Sequence, residues 1–136
     1  MGVAYARNKV EADMISIPSQ ARVFAHPTPI TADCDMDDLI SACKALGLDP
    51  YSGDLVAFRD VDATRIGVLA YDGHGFEWCV KRFSEGTLAW WPSQDHVVQI
   101  LPRDLGVMLW GGDPRELKLP PMWRPLHAVT GEPSTA

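Results

Sequence analysis

Asp72 and His74, two positions apart, are the nearest approach this sequence makes to an acid–base pair. A carboxylate holding an imidazole could move a proton. Asp72-Gly73 is also what a tight hairpin requires, since Gly adopts positive φ and Asp accepts from backbone N–H groups. The other histidines, His26, His96 and His127, show no metal-ligand spacing. The acidic run Asp33-Cys34-Asp35-Met36-Asp37-Asp38 resembles a calcium loop at first sight. Such a loop needs Gly at its sixth position and Glu at its twelfth, where this chain has Asp38 and Lys44. The run reads instead as carboxylates gathered at a helix N-terminus, where they complement the macrodipole. Cys34, Cys43 and Cys79 are too far apart for a zinc ribbon and too few for a disulfide framework. No nucleophile elbow, phosphate loop or dinucleotide fingerprint occurs. The expectation is a protein with no catalytic residues, no metal and no cofactor.

Binding chemistry is better represented. Trp90 and Trp91 are adjacent, and on a strand they would point to opposite faces, one into the core and one outward. An exposed Trp91 near Lys81 and Arg82 would stack on a base or anchor a protein partner; buried, it would simply pack. Lys81-Arg82 is the one adjacent basic pair, and on a strand only one of the two faces a given surface. With Arg59 and Arg65 on neighbouring strands these residues form a small positive patch or an ordinary solvated face. Twelve basic residues against eighteen acidic ones give a net charge of −6, which repels phosphate. Nucleic-acid contact through Arg59, Arg65, Lys81 and Arg82 is therefore expected to be weak or indirect.

The elements that must position these residues follow from periodicity and punctuation. Arg22 to Ala25 reads as a strand. A helix follows, with Asp35 as N-cap, Asp38 completing a capping box, and Leu39, Ile40, Cys43 and Leu46 on one face until Gly47 stops it. Asp49-Pro50-Tyr51-Ser52-Gly53 is dense turn chemistry. Strands are expected at Leu55–Phe58, Arg65–Tyr71, Phe76–Phe83, Thr87–Trp91 and Val97–Leu101, with Asp72-Gly73-His74-Gly75 as the strongest hairpin signal. Pro102 opens a last helix whose apolar face is Leu105, Met108 and Leu109, ended by Gly111-Gly112. The expected class is α+β: an antiparallel meander of about five or six strands with one helix before it and one after it.

A chain of 136 residues is one domain's worth and long enough to bury a core without staples. Residues 1–15 read as a loosely ordered arm, 16–112 as the domain, and 113–136 as a Pro-rich tail. No apolar run approaches the roughly 18 residues of a membrane span, and Met1 to Glu11 carries no signal-peptide stretch, so the expected location is cytoplasmic.

Taken in order, the motifs resemble the TnpB-type accessory proteins of the insertion-sequence-66 group, which are distinct from the RNA-guided nucleases of the same name. Asp49-Pro50-Tyr51-Ser52-Gly53-Asp54-Leu55 is similar to their Asp-Pro-aromatic-Ser-Gly-x-Leu segment. Tyr71-Asp72-Gly73-His74-Gly75-Phe76 resembles Trp-Asp-Gly-x-Gly-Phe, and Lys81-Arg82-Phe83 with Gly86 resembles Lys-Arg-Leu-Glu-x-Gly. Trp91-Pro92 corresponds to a Trp-Pro shifted by one residue. Arg22-Val23-Phe24, the closing helix around Leu105, Met108, Leu109 and Gly111, and Trp123-Arg124-Pro125 complete the likeness, from about Pro18 to Pro125.

The resemblance implies a non-catalytic protein that assists transposition by binding the transposase or its DNA complex. Asp72, Gly73, His74, Gly75, Phe76, Lys81, Arg82 and Trp91 are the expected partner surface. The partner would be the transposase or another element-encoded protein; the alternative is a recruited interaction module or inhibitor of a cellular or defence protein. Three departures remove positive charge. Ala32-Asp33-Cys34-Asp35 stands where the family tends to have Met-Arg-Lys-Gly, Gly67 where it tends to have Lys, and Thr87 where Arg often follows the turn glycine.

Overall fold

The computed structural model describes residues 17–18 and 20–116. The expectations for residues 1–15, for the tail beyond residue 116 and for Trp123-Arg124-Pro125 lie outside the described residues. The elements run β1 (Val23–Ala25), α1 (Met36–Ala45), β2 (Leu55–Arg59), β3 (Arg65–Tyr71), β4 (Phe76–Arg82), β5 (Val98–Ile100) and α2 (Pro102–Leu109).

Local chemistry fixes both helices. Asp38 N–H donates to Asp35 Oδ1 at 2.9 Å and Asp35 N–H donates to Asp38 Oδ2 at 3.0 Å, a reciprocal capping box. At the other end Gly47, at φ +79°, lets Leu48 N–H reach Cys43 O and Gly47 N–H reach Lys44 O, a Schellman closure. Leu39 and Cys43 are buried as expected, but Leu46 is the C-cap residue and is exposed. Helix α2 starts on Pro102, buries Leu105, Met108 and Leu109, and closes through Gly111 and Gly112 in the same way.

The class is α+β, but the sheet is mixed and is not a simple meander. The strand order is β4-β3-β2-β1-β5. β1 and β2 pair in parallel, Val23 opposite Leu55, because α1 lies between them as the crossover that parallel neighbours need. β1 comes before α1, as the strand expected at Arg22–Ala25 does, but it lies inside the same sheet, so α1 is a crossover between its strands rather than a helix set before a meander. β5 returns to pair antiparallel with β1, Val23 opposite Ile100. The strand expected at Thr87–Trp91 does not form; residues 83–97 are loop, and five strands remain among the described residues.

Strand alternation divides the core in two. Ala57, Ile66 and Val68 face α2, with Val23, Ile100, Leu105, Met108 and Leu109. Val56, Phe58 and Leu69 face α1, with Leu39 and Cys43. Both faces being covered explains the nearly continuous apolar runs of β2 and β3, which show no in–out alternation.

Candidate functional site

The residues singled out for binding lie at the two ends of β4. The hairpin end is built by Asp72. Its Oδ1 accepts the N–H groups of His74 (2.9 Å) and Gly75 (3.0 Å), and Gly73 supplies φ +98°. Those two backbone donors hold the Asp72 carboxyl below the usual carboxylate range. The carboxylate is thus spent on the turn, and its bond to His74 runs to the backbone rather than to the ring. Beside the turn, Tyr51, Tyr71 and Phe76 form a triangle of rings with centroids 5.0–5.1 Å apart. Tyr51 is half exposed, and Lys44 Nζ lies 5.7 Å from its ring centre. The DPYSG turn therefore packs its aromatic against the hairpin, a contact that the turn signature alone does not reveal.

At the far end the cations separate by face. Cross-strand partners share a face, and Arg65 pairs with Arg82 while Ile66 pairs with Lys81 and with Arg59. Arg65 and Arg82 therefore project on the α1 side, Arg59 and Lys81 on the α2 side. Arg65 Nε donates to Asp60 Oδ2 at 3.0 Å. Arg59 stacks on Trp91 at 5.1 Å, and Lys81 Nζ lies over the exposed Trp110 at 5.0 Å. Burial lowers the pKa of both Arg59 and Lys81, and Arg59 Nη1 is buried with no hydrogen-bond partner among the described residues. Arg82 is exposed. The four candidates for nucleic-acid contact thus form no common stripe, and three of them already sit on an aromatic ring or a carboxylate.

Trp91 does not stand out as a surface anchor. It is half-buried, its Nε1 donates to His26 O at 2.9 Å, and it packs with Trp90 against the α2-side core. The expectation that the two tryptophans take opposite faces fails because the segment is a loop, where strand alternation does not apply. Arg115, at the start of the C-terminal stretch, lies over Trp90 at 5.5 Å and clamps Asp113 at 2.7 Å.

Asp60 and Trp78 were not singled out in the sequence, and His26 was weighed only for metal spacing, yet each organises the α1 side. Asp60 is 4% exposed and accepts from the Thr64 and Arg65 backbone N–H groups, the Thr64 hydroxyl and Arg65 Nε. Burial alone would raise its pKa, but these donors together hold it below the usual carboxylate range. Trp78 lies flat over Gly67: a Cβ placed there would sit 2.2 Å from the indole ring. His26 stacks on Phe58 with centroids 4.9 Å apart and lies 3.1 Å from Ala42 O through Nε2. A cleft of about 60 Å³ between Ile30, Cys34, Phe58, Asp60 and Trp78 is far below the roughly 300 Å³ of a small-molecule site. Among the described residues no three His, Cys, Asp or Glu side chains converge as a metal ion would need, and no helix is long and apolar enough to cross a membrane.

The family described as IS66 Orf2 like protein matches residues 21–119 of this chain. The protein named "Uncharacterized protein y4jC" from Sinorhizobium fredii (strain NBRC 101917 / NGR234) is 26% identical over 113 residues, which cover 82% of this chain and 97% of that protein. No solved structure matches significantly.

Proposed function

The chain belongs to the IS66 Orf2-like family, the insertion-sequence-associated accessory proteins, and from that premise we propose that it assists transposition without catalysing a step, by binding the transposase or the transposase–DNA complex. The observation that supports this reading most is the state of the cations. Arg59, Arg65 and Lys81 are seated on Trp91, Asp60 and Trp110, so the described residues offer no basic stripe of the kind that tracks a phosphate backbone. A role through protein contacts suits such a surface better than a role through DNA. The hairpin from Asp72 to Phe76 and the far end of β4 around Lys81 and Arg82 supply turn backbone, aromatic and cation, the mixture on which binding hot spots draw. Trp91 supports that surface from the α2 side through Arg59.

Recruitment as an interaction module or inhibitor is the second reading. It is favoured by Gly67: the position where the family tends to carry Lys is covered here by Trp78, so a cation is replaced by an apolar plug.

The test is co-purification with a transposase of the insertion-sequence-66 group, together with duplex-DNA anisotropy on the protein alone. The reading expects capture of the transposase, loss of capture on Arg82→Ala by about tenfold or more with unchanged melting, and weak DNA binding at physiological salt. Submicromolar binding to bare duplex, or no capture of the transposase with or without its DNA ends, would overturn it.

A further inference from the structure

Strand β4 is a terminal strand of the sheet, and among the described residues it pairs with β3 alone. Two contacts beyond the ends of that ladder fix which way its backbone points: Asp72 N–H reaches Gly75 O, and Phe83 N–H reaches Thr64 O. Antiparallel alternation then directs the N–H and C=O groups of residues 77, 79 and 81 to β3. Those of Phe76, Trp78, Val80 and Arg82 point away from the sheet. A row of outward groups on a seven-residue strand is a template for one more strand. The opposite edge, β5, offers three residues.

The side chains specify which strand fits. Laid antiparallel against a second copy about a two-fold axis at Cys79, β4 sets Glu77 opposite Lys81, Phe76 opposite Arg82 and Trp78 opposite Val80, each pair occurring twice. The outward backbone groups of each copy then meet those of the other. Glu77 and Lys81 lie on the α2 side, directly opposite in a pair whose side chains approach closely. Phe76 and Arg82 lie on the α1 side as an aromatic facing a cation. Moving the axis to Trp78 or Val80 shortens the pairing and leaves Glu77 and Lys81 without an opposite charge. Glu77, Val80, Lys81 and Arg82 are exposed in the single chain.

We propose that the protein forms a two-fold dimer in which β4 pairs antiparallel with β4 of a second copy, joining two five-stranded sheets into one. In a single chain Phe76 and Arg82 stand about 20 Å apart, six residues at ~3.3 Å each. In the dimer the hairpin of one copy lies beside Arg82 of the other, so the two halves of the proposed partner surface become one. The pairing does not rest on the transposase reading and is tested on the purified protein alone.

The experiment is sedimentation velocity over a wide concentration range, with thermal melting as the control for folding. The wild-type chain of 15.0 kDa is expected to sediment as a dimer. Glu77→Lys and Lys81→Glu, both at exposed positions, should each weaken dimerisation by about tenfold or more while melting as wild type does at dilutions where both are monomeric. The double reversal, carrying both changes, should restore it. A wild-type protein that stays monomeric into the millimolar range would overturn the proposal. So would a dimer indifferent to either reversal, or one that the double reversal leaves as weak as the singles.

Discussion

On the α2 side of the sheet the core is mainly aliphatic: Val23, Ile66, Val68, Ile100, Leu105 and Met108 interdigitate, and the loop carrying Trp90 and Trp91 folds over the margin. On the α1 side Phe58 is the hub, with His26 stacked on one side of it and Trp78 edge-on at 5.8 Å. Leu39, Cys43 and Leu69 fill the remainder. Burial there pushes the Cys43 thiol up to about 11, so it remains protonated at neutral pH and behaves as a small apolar group. The two sides respond differently to changes in volume. Leu105 and Met108 on the α2 side can change rotamer to absorb part of a lost or gained methyl group, the β-branched residues around them less so. A face locked by ring-on-ring contacts and by an indole lying on a glycine has few such adjustments.

The sharpest test sets Phe58→Ala against Ile66→Val, since residues 58 and 66 sit on neighbouring strands with opposite faces. Phe58 is fully buried, and its loss should cost roughly 3–5 kcal/mol in denaturant unfolding, whereas Ile66→Val should cost roughly 0.5–1.5 kcal/mol. Because the two changes remove different numbers of atoms, the contrast is read as cost per atom removed; equal cost per atom would mean that the difference in construction has no energetic consequence. A smaller effect is expected at Gly67. Gly67→Ala places a methyl group inside the Trp78 ring and should cost roughly 1–3 kcal/mol, with Trp78 fluorescence shifted to longer wavelength as the ring lifts into solvent. Pairing it with Trp78→Leu should recover most of the loss relative to Trp78→Leu alone; if it does not, the two residues are not coupled.

The effect most distinctive in shape concerns Asp60. Its folded pKa is depressed because donors from Thr64 and Arg65 outweigh the upward push of burial. A depressed carboxyl binds more protons when unfolded. It therefore adds stability above its unfolded value of about 3.9, and that stability is lost as pH falls through the lower folded value. Asp60→Asn should flatten the acid limb of the stability–pH curve below about pH 4 and leave the neutral-to-basic limb parallel to wild type. An unchanged acid limb would show that the Asp60–Arg65 corner contributes nothing to the acid sensitivity of the α1 side.

What could be read from the chain was whatever rests on neighbours in sequence. The Asp35–Asp38 capping box, the stops at Gly47 and Gly111, Pro102 at the head of α2 and the Asp72–Gly75 hairpin are closed by hydrogen bonds spanning five residues or fewer, and all stand as expected. The ordered motifs also identified the family, because spacing along a chain is a sequence property.

Tertiary structure decided the rest. The parallel pairing of β1 with β2 depends on where a crossover helix docks, which no local signal records. Thr87–Trp91 has the composition of a strand, but it lies as a loop in which Trp91 donates to His26 O and stacks on Arg59. Lys81 and Arg82 were bound to take opposite faces. That Arg65 joins Arg82 while Arg59 joins Lys81 depended on strand register, which is fixed by burying Phe58 against α1 and Ile66 against α2. Local hydrogen bonds are set by the few residues that make them, whereas faces and neighbours are set by the apolar area that the whole sheet removes from water.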